Sequence, residues 1–283
     1  MSYALAICHG VFGRAVLFHL DRPMTRHLHR DGHLLFHVDG PPGLLEVAGR
    51  RALLSPLFGV AVNPWEPHAW EPAHRDGTLM LVLYVRPSWF ATNSLLRSRG
   101  FCFAHSTIEM VPLLGRRVLE IAALLGSGAA PPRLDALLLD LVRECLAQSG
   151  TPAEGGAGEA ADAGGYGSGL LNARDSRIRR SIRLMLEDAG NAVELDAIAL
   201  RAGLSRAHFF KLFRSEIGAT PGLVRNAMRL ERALMDLAET PKPITDIGFD
   251  LGFASTSSFS RFFSLNTGLS PTEYRRVARI FDA

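Results

Sequence analysis

The 283-residue chain contains only three cysteines, Cys8, Cys102 and Cys145, far apart and without a CxxC pair. That argues against a disulfide framework and leaves buried, reduced thiols as the expectation. No stretch approaches the roughly 18 consecutive apolar residues of a membrane-spanning helix. The first residues, MSYALAICHGVFGRAV, lack the basic start and long apolar run of a secretory leader. A cytoplasmic protein with no membrane partner is therefore expected. Net charge is also scarce, at +3, but it is unevenly placed. From residue 170 onward there are 17 Lys and Arg against 13 Asp and Glu; before it there are 14 against 15. The later part is the candidate for a polyanionic partner.

What is present is the profile of a globular protein, 47% hydrophobic and 21% charged, long enough for one large or two ordinary domains. SGTPAEGGAGEAADAGGYGSG, residues 149–169, is rich in Gly, Ala and Ser. It cannot bury enough apolar surface to order itself and is expected to be a flexible tether. The expected division is a first domain over 1–150, a linker over 151–170 and a second domain over 171–283. Residues 1–90 read as short strands such as LLEVAG, GVAVN and TLMLVLYV, punctuated by Pro and Gly, which suggests a sandwich or barrel. Residues 107–125 and 133–148 read as helices. In the second, Leu134, Leu137, Leu138, Leu141, Val142 and Cys145 form an apolar stripe, either core packing or a dimer seam.

Beyond the linker every segment reads helical, and the region contains itself twice. Leu195, Ile198, Ala199, Gly203 and Leu204 match Ile244, Ile247, Gly248, Gly252 and Phe253. Phe209, Phe213, Gly218, Thr220 and Pro221 match Phe259, Phe263, Gly268, Ser270 and Pro271. Ala199 and Gly248 are small where two helices must cross. Gly203 and Gly252 supply a left-handed turn. The paired phenylalanines anchor one face of each second helix and leave the other free. Thr220-Pro221 and Ser270-Pro271 are caps followed by proline at the first helical position, and Ser270 with Glu273 completes a capping box. Helix, tight turn, helix is the arrangement that lays a second helix in the major groove. Two copies joined by one helix over 222–239 make a plain helical bundle the weaker reading.

Residues 174–279 resemble the DNA-binding domain of the AraC/XylS family of transcription regulators, through IGFDLGF, FSRFF and GLSPTEYRR above all. The resemblance implies a two-domain α+β protein. It would have an N-terminal cupin-like β-barrel with trailing helices and a C-terminal all-α domain with two helix-turn-helix units. It further implies double-stranded DNA as a partner and a homodimer, and shifts the stripe at 134–145 toward dimerisation. Carried over by position, base contacts fall to Arg206, Ala207, Phe210 and Lys211 in the first unit and to Thr256, Ser257 and Arg261 in the second. Ala207 and Phe210 depart in chemistry: they can touch thymine methyls but cannot hydrogen-bond to base edges. Arg261 suits a bidentate contact to guanine or a phosphate.

The cupin resemblance gives meaning to RHLHRDGHLLFHVDG, residues 26–40. His27, His29, His33 and Gly40 fill the first motif, with His33 in place of its glutamate and Asp21 in place of its leading glycine. Gly59, Pro64 and His68 fill the second, one residue short. His27, His29, His33 and His68 are candidate ligands for Zn, Fe, Ni or Cu, since neutral imidazoles suit these ions. The same cluster would equally line a metal-free pocket for a small-molecule effector, to which His37, Trp65 and Trp70 are candidate contributors; a purely structural role is the third reading. The expected function is a transcription regulator that responds to a small molecule or metal, with no catalytic residue. The alternative is a metal-dependent cupin enzyme carrying a DNA-binding domain.

Overall fold

A computed structural model describes residues 2–93, 102–128, 134–149, 170, 173–187 and 194–280. The expected linker lies outside these residues, apart from Ser149 and Leu170. Strands β1 (Tyr3–Gly10), β2 (Gly13–Leu20), β3 (Met24–His27), β4 (Gly32–Asp39), β5 (Gly43–Val47), β6 (Arg50–Leu54), β7 (Phe58–Val62), β8 (His68–Pro72) and β9 (Thr78–Val85) come first. Helix α1 (Pro87–Asn93), strand β10 (Thr107–Glu109) and helices α2 (Pro112–Gly126) and α3 (Leu134–Ser149) complete the sheet-rich domain. One sheet has the order β10-β7-β4-β9-β2-β1-β11, where β11 is Ala278–Ile280 at the far end of the chain; the other is β3-β8-β5-β6.

The two sheets face each other. Val16, Phe18, Leu35 and Val82 of the larger share an apolar cluster with Leu45, Val47 and Trp70 of the smaller. The opposite face of the larger sheet, with Leu17, Leu34, Phe36 and Leu83, is covered by Val118, Ile121 and Leu125 of α2 and Leu138, Leu141 and Val142 of α3. A strand buried on both faces need not alternate, which explains why β9 is the unbroken apolar run TLMLVLYV. The stripe at 134–145 is consumed by this packing: Leu134, Leu138, Leu141, Val142 and Cys145 are buried within the chain's own core. The helix expected over 107–125 starts later. Thr107–Glu109 pairs with β7 instead. Val111, ahead of Pro112, is extended (φ −61°, ψ 153°), as the residue before a proline is pushed to be.

The second domain contains α4 (Ser176–Glu187), α5 (Leu195–Arg201), α6 (Arg206–Ile217), α7 (Pro221–Glu239), α8 (Ile244–Asp250), α9 (Thr256–Thr267) and α10 (Pro271–Val277). The pairs α5–α6 and α8–α9 are joined by turns in which Gly203 (φ +74°) and Gly252 (φ +77°) are left-handed, as required. A Cβ on Gly248 would sit 3.0 Å from Phe259 Cβ, so that crossing needs glycine. Thr220 and Ser270 cap α7 and α10, and the Ser270–Glu273 capping box is formed. The two domains share one core. Leu230, Leu234, Phe259, Phe263 and Tyr274 belong to the same cluster as Phe18, Leu20 and Met24. Strand β11 pairs in parallel with β1, Ile7 opposite Ala278.

Candidate functional site

Four imidazoles meet at one end of the space between the sheets. His27 and His68 are register partners on β3 and β8, and their ring centroids are 4.2 Å apart. His29 follows in the β3–β4 loop, and His33 opens β4, 4.5 Å from both His29 and His68. All four are buried, none more than 8% exposed. Burial is the main cause that holds His29, His33 and His68 well below the usual imidazole range and lowers His27, with neighbouring imidazoles adding to the shift of the first three. The rings are therefore neutral near pH 7.

Their tautomers follow from their partners. The Nδ1–H groups of His27, His29 and His68 donate to the backbone carbonyls of Thr25 (2.8 Å), Asp31 (2.7 Å) and Glu66 (2.8 Å). A carbonyl oxygen can only accept, so each Nε2 is left with its lone pair. One nitrogen from each of these three rings lies within 4.8 Å of the others. Clamped Nδ1–H groups and convergent Nε2 atoms are how proteins prepare metal-binding histidines. His33 stands beside the trio: its Nδ1–H donates to His29 Nε2 at 2.7 Å, and its own Nε2, like that of His68, is buried without a partner. These residues suit a divalent transition metal.

His37 is elsewhere. It lies four residues along β4, roughly 13 Å away by strand rise, half-buried, with its Nε2 hydrogen-bonded to Gly40 O. Trp70 is buried between the sheets over Gly43. Trp65 occupies the β7–β8 turn with a left-handed backbone (φ +63°). That costs a non-glycine residue roughly 1–2 kcal/mol. It is held there by Trp65 N–H donating to His29 O (2.9 Å) and by ring packing against the helical domain.

Sequence reasoning missed a second polar row. His9, Arg14, Tyr84 and His33 are successive cross-strand partners on β1, β2, β9 and β4. The Arg14 guanidinium lies over the Tyr84 ring at 3.9 Å, and that ring is 5.1 Å from His29 and 5.2 Å from His33. From the helical domain, Tyr274 brings its hydroxyl to His9 Nε2 (2.7 Å) and within 3.4 Å of Arg14 Nη1. Burial first, then Arg14 and Arg86, bring His9 down to about 3, so its ring is neutral. Only the sheet register joins these residues, and nothing in the local sequence marks it.

The helices α6 and α9 present the expected reading residues. Arg206, Ala207, Lys211, Ser257 and Arg261 are exposed, while Phe210 and Thr256 are half-buried. Arg206 is ion-paired with Asp196 and lies near the Phe210 ring. His208 and Arg214 are also exposed on α6 and were not anticipated.

A short helix–turn–helix with an anchored inner face and a polar outer face defines a DNA-binding module. Residues 198–277 match the helix-turn-helix domain family. The chain is 32% identical over 98 residues to the regulatory protein SoxS of Salmonella typhimurium, covering 35% of this chain and 92% of SoxS. It is 37% identical over 103 residues to the RCS-specific transcriptional activator RclR of Escherichia coli, covering 36% of each. The match to RclR and to the regulator MtrA of Neisseria gonorrhoeae spans only about a third of those proteins, 36% in each case. The fold, both domains included, resembles ToxT of Vibrio cholerae, with a TM-score of 0.57 at 13% identity over 93% of this chain and 96% of that one. The chain belongs to the AraC/XylS family of DNA-binding transcription regulators, and its relatives are regulators rather than enzymes.

Proposed function

We propose that this chain is a one-component regulator whose sheet domain, a cupin-like barrel within 1–150, senses a divalent transition metal ion. It reads double-stranded DNA through two helix-turn-helix units, α5–α6 and α8–α9, within 171–283. The observation that carries the metal reading is the trio of buried imidazoles, each with Nδ1–H spent on a backbone carbonyl and Nε2 turned inward. His27, His29 and His68 hold the ion, and His33 is placed to join or to compete. Zn, Fe, Ni and Cu fit this donor set; the ion would supply a charge and a fixed geometry, not a reaction. Base contacts fall to Arg206, Ala207, Phe210, Lys211, Thr256, Ser257 and Arg261. Homodimerisation falls to α2, on which Leu113 (47%) and Leu119 (54%) remain exposed. ToxT has been solved with an unsaturated fatty acid bound, so a small organic effector is the second occupant to test.

Elemental analysis of the full chain, purified without chelator, tests this. One first-row transition metal per chain is expected, lost in the His29→Ala/His68→Ala double variant. Metal-free protein that also takes up none of the four ions from solution sinks the metal reading and leaves the organic effector.

A further inference from the structure

The carbonyls that orient the three imidazoles lie in the segments where the sheet domain touches the helical one. Thr25 O holds His27, while Thr25 Oγ1 donates to Leu265 O near the end of α9 (3.2 Å). Asp31 O holds His29, and its neighbour Arg30 reaches α7. The Arg30 backbone N–H donates to Glu231 Oε1 at 3.0 Å, and its Nε lies 3.7 Å from Oε2. Glu66 O holds His68, and its neighbour Trp65 packs against the α4–α6 core while bonding back to His29 O. Leu28, between two of the histidines, is 1% exposed and sits inside that same core with Phe209 and Phe213. A displacement of any of the three rings is therefore passed to a residue that touches, or neighbours one that touches, the helical domain.

The cluster as it stands is not in a ligating arrangement. His33 Nδ1–H occupies the lone pair of His29 that an ion would need. Imidazole nitrogens bound at roughly 2.0–2.1 Å in a tetrahedron lie about 3.3 Å apart, and those of His27, His29 and His68 lie within 4.8 Å of one another. Ligation requires His29 to leave His33 and the rings to converge, which draws on the Asp31 carbonyl and Arg30.

Resting on the metal reading above, we propose that Thr25–Asp31 and Trp65–His68 form one coupling device. Occupation of His27, His29 and His68 by a divalent transition metal shifts the docking of the helical domain, and the Arg30–Glu231 contact carries that shift to α7. Because α7 joins the two helix–turn–helix pairs, its docking sets how both are held.

The test is amide hydrogen exchange on the full chain, with EDTA or with one equivalent of Zn²⁺, beside a Zn²⁺ titration. Wild type should bind one ion per chain and change exchange within 228–237 and 262–267 by about fivefold or more. Glu231→Ala and Glu231→Leu, which remove the acceptor of the Arg30 backbone N–H, should still bind one ion but lose most of the change in 228–237, keeping that in 262–267. Bound Zn²⁺ without any change in wild type, or variants that respond like wild type, overturns the proposal. If wild type binds no Zn²⁺, the metal reading falls, and the ion-free protein decides the coupling. His29→Ala frees the Asp31 carbonyl and should then speed exchange within 228–237 about fivefold relative to His37→Ala, which lies outside the cluster. Equal exchange in those two variants overturns the coupling on its own.

Discussion

At the scale of single residues, burial separates the side chains that hold the fold from those free to act. Phe263 is fully buried, edge-on to Tyr274 and tilted against Phe259. Phe263→Ala leaves a ring-sized void in a core shared by both domains, and should cost about 3–5 kcal/mol of unfolding free energy in a denaturant titration. Arg261, two residues away on the exposed face of α9, should leave that titration unmoved. Its replacement by alanine should instead cost about 1–3 kcal/mol of DNA binding on a sequence selected by the wild-type protein, with relaxed preference at one base pair. A uniform loss across all sequences would make it a phosphate anchor. The histidines show the limit of reading residues one at a time. Strand parity puts His37 with His27, His29 and His33, yet its position along β4 takes it to the far end of the sheet.

At the scale of elements, the helical domain was legible because its determinants are local. Cap, turn glycine and paired phenylalanines of each unit lie within 18 residues of one another, and each forces a backbone conformation or a buried face whatever the rest of the chain does. Ser270→Ala removes the side-chain oxygen that accepts from Glu273 N–H and should cost about 1 kcal/mol. Gly248→Ala sets two effects against each other. Helix propensity gains about 1 kcal/mol, but the new methyl sits 3.0 Å from Phe259 Cβ, an overpacking worth roughly 1–3 kcal/mol. Net destabilisation is expected in thermal melts; a stabilised variant would mean that α8 and α9 part without cost. The start of α2 was misread because its apolar spacing continues backward into β10, and only pairing with β7 ends the ambiguity. The α3 stripe was read correctly as apolar, but the periodicity carries no information on which surface covers it.

At the scale of the whole molecule, the helical domain is docked on the sheet domain through an apolar core edged by charge. Glu231, on α7, faces Arg30, Asp31 and Arg14. Burial first pushes its carboxyl up to about 7 from an ordinary 4.5, with Asp31 adding and Arg30 and Arg14 opposing. A carboxyl with a raised value in the docked state binds its proton more tightly there. Docking is therefore favoured fully below the ordinary value and loses that contribution as pH rises through about 7. Interdomain distance measured by fluorescence transfer should increase between pH 5 and pH 8, and Glu231→Gln should flatten the profile. A distance that shrinks with rising pH would contradict this reading.

The sequence by itself determined the helical domain, its caps, its left-handed glycines and its family. All of these rest on spacings of a few residues, in which the backbone's own geometry sets the outcome. It also marked His27, His29, His33 and His68, because short motifs brought them to notice. Tertiary structure alone decided that three of them are clamped alike while His33 bonds to His29. It alone assembled the row His9–Arg14–Tyr84–His33, set Tyr274 against it, and placed Arg30 on Glu231. Those contacts depend on sheet register and domain docking between residues as much as 265 positions apart. No local period encodes such pairings, since they follow from which apolar faces the whole chain buries together.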